Sequence, residues 1–586
     1  MESQERDNGD QVSKLDIEAL KTESQGLRGA IPNELAQNAD HFSEESATLL
    51  KFHGIYQQDD RDARKASRET GSSKDFSFMV RTKNPGGFLP GEFYLGIDEL
   101  STRYGNGTIR VTTRGGLQLH GIPKGDLQTV IAAINTRLGT TLGACGDINR
   151  NVMAPPFPFA RPAYVAARKA AQKIADLLTP RASAYYEVWQ GGDIRHSSKP
   201  DVEPIYGAAF LPRKFKIAVA APGDNSVDLY ANDLGIVPVL DRNDTVVAYD
   251  LTVGGGLGMT HGKATTYPRL ADELGSIAPE RLLDIVRAIV IVQRDHGDRS
   301  NRKHARLKYL IDDRGLTWFR SAVEANAGFA LDPWQPLPEW SVPTFSGWHA
   351  QGDGRWFNGI DILSGRIRDD RRIRMKSALR EIVERTHCDL IATPDQNILI
   401  IDIADHQRVT IDAILAQHGV AFDGGLDAFA RRALACPALP TCGLSLAESE
   451  RFLPRLLADV RVAWSAAGLD MRAAPTLRMT GCPNGCARPA LGEIGIVGVS
   501  LDRYNVSLGG NPQSTRLNAL YRERVSGGDI GHVLAEVFRA FAAERDAHES
   551  FGDYCARSAA VPIVDRRQST RACEESPAAA ANLLTR

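Results

Sequence analysis

Four cysteines near the C-terminal end of the chain stand in two tight pairs, and no other sequence feature constrains the fold as strongly. The first pair, Cys436 and Cys442, encloses five residues, and the second pair, Cys482 and Cys486, encloses three. Four thiolates are the usual protein ligands of an iron–sulfur cluster. Zinc pairs usually enclose about two to four residues, so the first gap is long for zinc. The spacing favours an iron–sulfur cluster and leaves a four-cysteine zinc site as the alternative.

The remaining cysteines are scattered and have no partner at short spacing. They are Cys145, Cys388, Cys555 and Cys573. Disulfides are uncommon in a large chain without a secretory signal. We therefore expect core or tail thiols at these positions, without a ligand role.

Length and charge exclude several classes of protein. With 586 residues the chain is too long for one core, and about three or four folding units are expected. The formal net charge of -2 gives no overall positive field for nucleic acid, so any anion site must be built locally. The sequence has no run of about 18 uncharged apolar residues that would span a membrane. The acidic N-terminal segment MESQERDNGDQVSKLDIEAL resembles neither a secretory signal nor a transit peptide, which predicts a cytoplasmic protein.

Two stretches share a β–α–β rhythm, which suggests an internal repeat. The first stretch spans about 76–142 and contains the strand-like run TIRVTTRGGLQLHGI (108–122), followed by a helix. The second stretch spans about 355–420 and contains the strand-like run DLIATPDQNILIIDI (389–403), also followed by a helix. We expect two half-domains that pair about a pseudo-twofold axis.

The α+β chain is predicted to divide into six segments. They are an N-terminal arm (1–75, extended up to about residue 45), a first half-domain (76–142), a mixed α/β domain (143–345), a second half-domain (346–425), the cysteine-bearing domain (426–565) and a disordered tail (566–586).

Basic residues gather beside Gly, Pro and Asn turns at four places. They are Arg81 with Lys83, Arg110 with Arg114, Arg150 alone, and Arg213 with Lys214 and Lys216. Side chains alternate along a strand, so Lys214 and Lys216 are expected to share one face. Arg110 and Arg114 are expected to share another face, which continues to Gln118 and His120. Like charges on one face repel unless an anion lies between them, which predicts an anionic ligand. The alternative is a solvated strand face with ordinary surface charge.

Several segments resemble the siroheme-dependent sulfite and nitrite reductases, and the likeness runs over about residues 48–565. The segments are LLKFHGIYQQDDRD, TTRGGLQLHG, ACGDINRNVMAPP, LPRKFK, the GGGLG loop at 254–258, QRDHGDRSNRKHARLKYL and both cysteine pairs. The resemblance implies a trilobed α+β fold with two pseudo-twofold-related ferredoxin-like half-domains and two mixed α/β domains. It also implies two cofactors, siroheme and one [4Fe–4S] cluster.

The resemblance implies residue roles by matching position. The four paired cysteines would hold the cluster, and Cys486 would also ligate the siroheme iron. The positions around bound sulfite are matched by Arg81, Arg150, Lys214 and Lys216. The positions near the macrocycle and its carboxylates are matched by Arg110, Arg114, Gln118, His120, Arg213, Gln396 and Asn484.

The implied activity is the assimilatory, six-electron reduction of sulfite to sulfide. The nearest alternative is a siroheme nitrite reductase that forms ammonia. Nitrite-reducing members resemble R-K-W-N where this chain has RKFK at 213–216, and a second lysine suits the sulfite dianion. An alternative of another class is a non-catalytic metal-binding interaction protein, which the lack of RNA-binding motifs disfavours.

Electrons are expected from a partner protein, because neither glycine-rich stretch fits a nicotinamide site. GGGLG is followed by Met259, and GEIGIVGV (492–499) has glycines three apart, so both lack the G-x-G-x-x-G spacing. Segments such as NPGGF, YGNGTIRVTTR and GWHAQGDG resemble the ferredoxin-dependent branch, so ferredoxin is the expected donor. A flavoprotein subunit using NADPH is the alternative.

A basic run offers a docking surface for an acidic ferredoxin. Its members are Arg366, Arg368, Arg371, Arg372, Arg374 and Lys376. The alternative for this run is a solvated helix face with contacts to siroheme carboxylates.

Overall fold

The computed structural model describes residues 15–64, 69, 74–180, 187–190, 193–197 and 203–558. The α-helices are α1 (Ile17–Glu23), α2 (Ile31–Leu35), α3 (Glu44–Leu50), α4 (Gly91–Arg103), α5 (Leu127–Thr136), α6 (Pro162–Leu177), α7 (Leu282–His296), α8 (Leu307–Arg314), α9 (Leu316–Ala327), α10 (Met375–Thr386), α11 (Arg408–Gln417), α12 (Ala428–Arg431), α13 (Leu453–Ala466), α14 (Ile530–Glu544) and α15 (Phe551–Arg557). The predicted tail at 566–586, including Cys573, lies outside the described residues.

The strands belong to four larger sheets and one hairpin. They are β1 (Ile55–Asp59), β2 (Phe76–Arg81), β3 (Phe88–Leu89), β4 (Ile109–Val111), β5 (Leu117–Ile122), β6 (Glu187–Gln190), β7 (Asp193–Ser197), β8 (Ile217–Val219), β9 (Leu234–Leu240), β10 (Val246–Val253), β11 (Asp272–Ile277), β12 (Gly347–Ala350), β13 (Trp356–Ile360), β14 (Arg366–Ile367), β15 (Asp389–Ala392), β16 (Ile398–Ile403), β17 (Ala433–Ala435), β18 (Leu477–Thr480), β19 (Ile494–Ser500), β20 (Arg503–Leu508) and β21 (Ala519–Ser526).

Two five-stranded antiparallel sheets form the paired half-domains. Their strand orders are β1-β2-β5-β4-β14 and β12-β13-β16-β15-β3, so each sheet takes its last strand from the other half. β5 and β16 share one burial pattern, in which only the fifth residue, Gly121 or Asp402, is exposed. One hydrophobic core contains side chains of both halves, such as Val80 and Ile400. The predicted repeat and its pseudo-twofold pairing are confirmed.

Each of the two strand-like runs forms a hairpin. Residues 108–122 form β4 and β5, and residues 389–403 form β15 and β16. The tight turns require left-handed backbone, at Gly115 with φ 69° and at Gln396 with φ 68°. A Cβ on Gly115 would lie 2.9 Å from the Ala392 carbonyl oxygen, so glycine is needed there. Arg114 consequently lies in the turn, and the prediction that it shares a strand face with Arg110 was wrong.

The other two sheets have their own cores. The middle sheet, β11-β10-β9-β8, is packed against α6, while α13 and α14 cover the C-terminal sheet, β17-β18-β19-β20-β21. Within the described part of the chain, three large cores, one shared by the half-domains and one under each further sheet, give the trilobed α+β fold. Among the described helices, none combines the length and apolar content that crossing a bilayer needs.

The segment predicted as an extended arm is folded where the structure describes it. Helices α1 and α2 lie in that segment, and β1 forms the edge strand of the first sheet. Lys21 of α1 is buried, and its Nζ donates to the carbonyl oxygen of Leu211 at 2.9 Å. The polar composition hid this packing, because the contact that anchors the helix is made by a lysine.

Candidate functional site

The four paired cysteines meet at one edge of the C-terminal sheet. Cys436 directly follows β17 and Cys482 lies two residues beyond β18. These strands are parallel neighbours, and the carboxyl ends of parallel strands lie at the same sheet edge. Cys436 and Cys482 are buried, Cys442 is half-buried and Cys486 is exposed. The fold therefore brings both pairs to one place, as the spacing predicted.

The thiols are close enough for charge on one to affect the others. Burial raises the pKa of Cys482 to about 11, and negative charge on Cys486 adds to this effect. Burial likewise raises the pKa of Cys436, with Cys486 and Cys442 adding to it. Among the described residues, however, no group of three His, Cys, Asp or Glu side chains is arranged to hold a single metal ion. The positive irons of a bound iron–sulfur cluster would offset the repulsion between the thiolates.

Two N–H groups point at the buried sulfurs. The backbone N–H of Gly481 donates to Cys436 Sγ at 3.4 Å, and Asn484 Nδ2 donates to Cys482 Sγ at 3.5 Å. The backbone reaches the sulfur because residue 481 has no side chain: a Cβ there would lie 2.2 Å from Ser445 Oγ. Hydrogen bonds of this kind tune the potential of an iron–sulfur cluster. Asn484, predicted to lie near a macrocycle, thus contacts the thiol of a predicted cluster ligand, Cys482.

Two lysines without a protein partner occupy the extended segment that leads into β8. Phe215 is buried between them, and its carbonyl oxygen accepts the backbone N–H of Arg150 at 2.8 Å. Within the described part of the chain, neither the Lys214 nor the Lys216 ammonium makes a hydrogen bond or an ion pair. Burial, followed by the charge of Arg213, lowers the pKa of Lys214 to about 7. Burial, then the charge of Lys214, lowers the pKa of Lys216 well below its usual value. An anion between the two ammonium groups would relieve their mutual repulsion.

Arg81, at the end of β2, lies beside a thiol and a phenol. Its Nη1 donates to Cys145 Sγ at 2.8 Å, and its guanidinium carbon lies 5.6 Å from the ring centre of Tyr56. Burial disfavours its charge, but the negative charges of Cys145, Tyr56 and Cys486 outweigh burial and raise the pKa of Arg81. Sequence reasoning missed Tyr56 and treated Cys145 as an inert core thiol; neither carries a local motif that signals the contact.

The other two basic residues grouped by sequence, Arg150 and Lys83, have different hydrogen-bond partners. Arg150 donates from Nε to the carbonyl oxygen of Gly146 at 2.9 Å, and its charge contributes to the lowered pKa of Lys214. Lys83 instead points away from the lysine pair, because its Nζ donates to Thr179 Oγ1 at 3.0 Å. The structure therefore separates Lys83 from the predicted anion site.

Three of the residues predicted near a macrocycle form a buried group beside the cysteines. Arg110 and Gln118 are paired across β4 and β5, with Arg110 Nη1 donating to Gln118 Oε1 at 3.3 Å. Arg110 Nη2 also donates to the carbonyl oxygen of Ala435, at 2.7 Å, directly before the first cluster cysteine. Both ring nitrogens of His120 are buried without a partner in the described residues, and burial, then Arg366, lowers its pKa well below the usual range.

The remaining predicted residues join this group to the lysine segment. Arg114 donates from Nη2 to the carbonyl oxygen of Ile217 at 2.9 Å, and burial lowers its pKa to about 9. Arg213 lies 3.8 Å from a carboxylate oxygen of Asp147. The amide of Gln396 is buried, and its Oε1 has no partner among the described residues.

Sequence reasoning missed the carboxylates that organise these cations. Asp147 accepts from Arg302 Nη2 at 2.9 Å, and although burial opposes its charge, Arg302 lowers its pKa. Asp233 accepts from Arg306 Nη2 at 2.7 Å and from the backbone N–H of Lys216 at 2.9 Å. The partners are 155 and 73 residues apart, so no local spacing could have revealed them.

Buried polar atoms without partners lie on these same site residues. Among the described residues they include Arg81 Nε, both ring nitrogens of His120, both amide atoms of Asn149, Asn151 Oδ1, Gln396 Oε1 and Thr480 Oγ1. A buried polar group without a partner costs about 1–3 kcal/mol. Such a set fits a polar group that the polypeptide itself does not supply, and siroheme, whose rim carries carboxylates, is such a group.

The fold and the site together define an α+β redox protein with a cysteine-bound cluster beside an anion pocket. Two family profiles match: "Nitrite and sulphite reductase 4Fe-4S domain" over residues 169–331, and "Nitrite/Sulfite reductase ferredoxin-like half domain" over residues 72–137. The chain is 48% identical to "Sulfite reductase [ferredoxin]" of Synechococcus elongatus, over 92% of this chain and 89% of that protein. It is 42% identical to "Sulfite reductase [NADPH] hemoprotein beta-component" of Myxococcus xanthus, over 93% of this chain and 97% of that protein.

A solved structure supports the same architecture. The Mycobacterium tuberculosis NirA protein superimposes with a TM-score of 0.75 at 24% identity, over 92% of this chain and 96% of that chain. By its relatives and its profiles, the chain belongs to the nitrite and sulfite reductase family. Siroheme and a [4Fe–4S] cluster are the cofactors of this family.

Proposed function

We propose that this protein is an assimilatory sulfite reductase that converts sulfite to sulfide with six electrons. The observation that carries the proposal is the pair of half-buried lysines, Lys214 and Lys216, which have no partner in the described chain. Negative charge on Cys486 acts on Lys214, so the lysines lie near the thiol predicted to join the two cofactors. A dianion needs more positive charge than a monoanion, and a two-lysine pocket supplies it.

When bound, siroheme and the [4Fe–4S] cluster would pass electrons from the donor to the substrate. The four paired cysteines would hold the cluster, and the Arg110 group would hold the macrocycle. The work of the polypeptide is electrostatic: Arg81, Arg150 and the two lysines offset the charge of the sulfite oxygens.

Reduction of sulfite to sulfide also consumes six protons and releases three waters, so the pocket must deliver protons repeatedly. Burial and neighbouring cations lower the pKa of Lys214 to about 7, so this ammonium can lose and regain a proton near neutral pH. Lys216 is held in register by the bond from its backbone N–H to Asp233. We therefore assign proton delivery to Lys214 and Lys216, directly or through water.

The test combines cofactor analysis with turnover of two substrates. Purified protein is analysed for iron, acid-labile sulfide and siroheme absorbance, then given a chemical reductant with sulfite or nitrite. We expect sulfide production with a higher kcat/KM for sulfite than ammonia production has for nitrite. A higher value for nitrite would make the protein a nitrite reductase, and protein without iron or colour would support the non-catalytic alternative.

We infer that ferredoxin is the electron donor. The relative from Synechococcus elongatus carries ferredoxin in its name, while the relative from Myxococcus xanthus is named for NADPH. Within the basic run, Arg366 is bound internally to Glu450 and Lys376 to Asp98. The exposed members are Arg368, Arg371, Arg372 and Arg374. These four arginines are the docking surface that we propose for an acidic donor.

The donor experiment compares reduced ferredoxin with NADPH plus a sulfite reductase flavoprotein. Exposed charges are screened beyond about 10 Å at 0.1 M salt, so the apparent affinity for ferredoxin should fall steeply with added salt. Arg371→Glu should raise KM for ferredoxin, while Arg242→Glu, an exposed arginine on the β9–β10 turn, should leave it unchanged. Turnover with the flavoprotein alone would overturn the ferredoxin assignment and leave the sulfite reductase proposal intact.

A further inference from the structure

Lys308, in α8, is fully buried and has no carboxylate partner among the described residues. Its Nζ donates to the carbonyl oxygen of Gly256 at 3.0 Å and to that of Gly258 at 3.1 Å, and it also donates to the carbonyl of Tyr267. An ammonium has three N–H donors, so three carbonyl oxygens use all of them. The ring of Tyr309, with its centre 4.8 Å from Nζ, adds a favourable cation–π contact.

Two of the three carbonyls that Lys308 binds, those of Gly256 and Gly258, belong to the glycine loop at 254–258. A second cation acts on the same loop, because Arg306 Nη2 lies 3.4 Å from the carbonyl oxygen of Gly255. A loop rich in glycine is costly to order, since glycine loses more conformational freedom than other residues. Buried donors that bind several successive carbonyls fix one conformation of such a loop.

The glycine loop in turn packs against the turn that carries the second cysteine pair. The backbone N–H of Met259 donates to the carbonyl oxygen of Pro483 at 2.9 Å. A Cβ on Gly258 would lie 3.2 Å from the carbonyl oxygen of Asn484. Both contacts fall between Cys482 and Cys486, so a displacement of the loop moves the two thiols.

We propose that Lys308 is a positioning residue for the redox centre, acting through the glycine loop on the 482–486 turn. Its ammonium donates only to backbone carbonyls of the described chain. Its ammonium fixes the loop, the loop contacts the turn, and the turn positions the thiols of Cys482 and Cys486, which would hold the cluster. This inference rests on the proposed function, because it assumes that the cluster is bound.

The test substitutes Lys308→Met and records the EPR spectrum and the midpoint potential of the purified, cofactor-loaded protein. We expect altered magnetic coupling between the two centres and a shifted cluster potential at normal iron and sulfide content. The matched control is Lys124→Met. Lys124 is also buried, and its Nζ donates to the carbonyl oxygen of Ala39 at 2.8 Å, in the N-terminal segment. Lys124→Met should lower the stability of the protein and leave its EPR spectrum and midpoint potential unchanged.

A second variant, in the glycine loop itself, keeps the test decisive if Lys308→Met fails to fold. Gly258→Ala adds a methyl group against Asn484, and we expect the same kind of spectral and potential change. Its control is Gly125→Ala, where an added Cβ meets nothing within 4 Å. If Lys308→Met or Gly258→Ala binds both cofactors and keeps the parent spectrum and potential, the inference is wrong. Parent protein without a cluster would instead refute the proposed function.

Discussion

Replacing Lys216 with asparagine tests whether charge in the pocket selects sulfite over nitrite. The change removes one ammonium that has no partner in the described chain, while the bond from the residue 216 backbone N–H to Asp233 remains. The surrounding segment should therefore keep its place, and the effect should come from the lost charge. The size follows from Coulomb's law: two unit charges about 4 Å apart interact by about 4 kcal/mol at an effective dielectric constant of about 20.

Sulfite as a dianion carries one more negative charge than nitrite, so it should lose more. Losing one donor that meets developing charge costs about 2.7–4 kcal/mol, which corresponds to a factor of about 10²–10³ in rate. We expect Lys216→Asn to lower kcat/KM for sulfite by about that factor. The loss in kcat/KM for nitrite should be smaller by roughly a factor of ten or more.

The assay measures kcat/KM for both anions with one chemical reductant, so that the donor protein does not enter. Lys263→Asn, at an exposed lysine, is the control and should change neither value. Equal losses for sulfite and nitrite would refute the reasoning, because they would show that Lys216 acts on position or protons and not on the extra charge.

Two further predictions concern a predicted cluster ligand and a proton donor. Cys486→Ser should abolish sulfite reduction and the magnetic coupling seen by EPR or Mössbauer spectroscopy. Cys388→Ala, in the core shared by the half-domains, is the control and should retain turnover. Near-normal turnover of Cys486→Ser would contradict the bridging role. Since the pKa of Lys214 is lowered to about 7, kcat/KM for sulfite should fall as pH rises above about 7, where the ammonium loses its proton. Lys214→Arg should move that fall to higher pH in rate–pH profiles with the same substrate, and an unmoved profile would assign the titration to another group.

The sequence predicted those parts of the fold that depend on local spacing. The cysteine pairs were recognisable because the members of each pair are close together in the sequence. In the fold, Cys436 and Cys482 each follow a strand within two residues. The repeat was recognisable because both copies place strand-like runs before a helix, α5 after β5 and α11 after β16. Arg114 was placed on a strand face because a β-branched run, 111–113, precedes it, whereas the left-handed backbone at Gly115 ends the strand.

The basic residues show why local pattern cannot settle the role of a charge. In the sequence Arg110, Arg213 and Lys214 look alike, each beside a turn and another cation. In the structure Arg110 is bound to Glu450, 340 residues away, and Arg213 lies near Asp147, whereas Lys214 has no such partner among the described residues. A carboxylate that offsets a cation removes most of its pull on a ligand, so the field in the pocket comes mainly from the cations that the fold leaves unpaired. Which cations these are is decided by contacts between distant segments, and this is how a chain of net charge -2 can form a locally positive pocket.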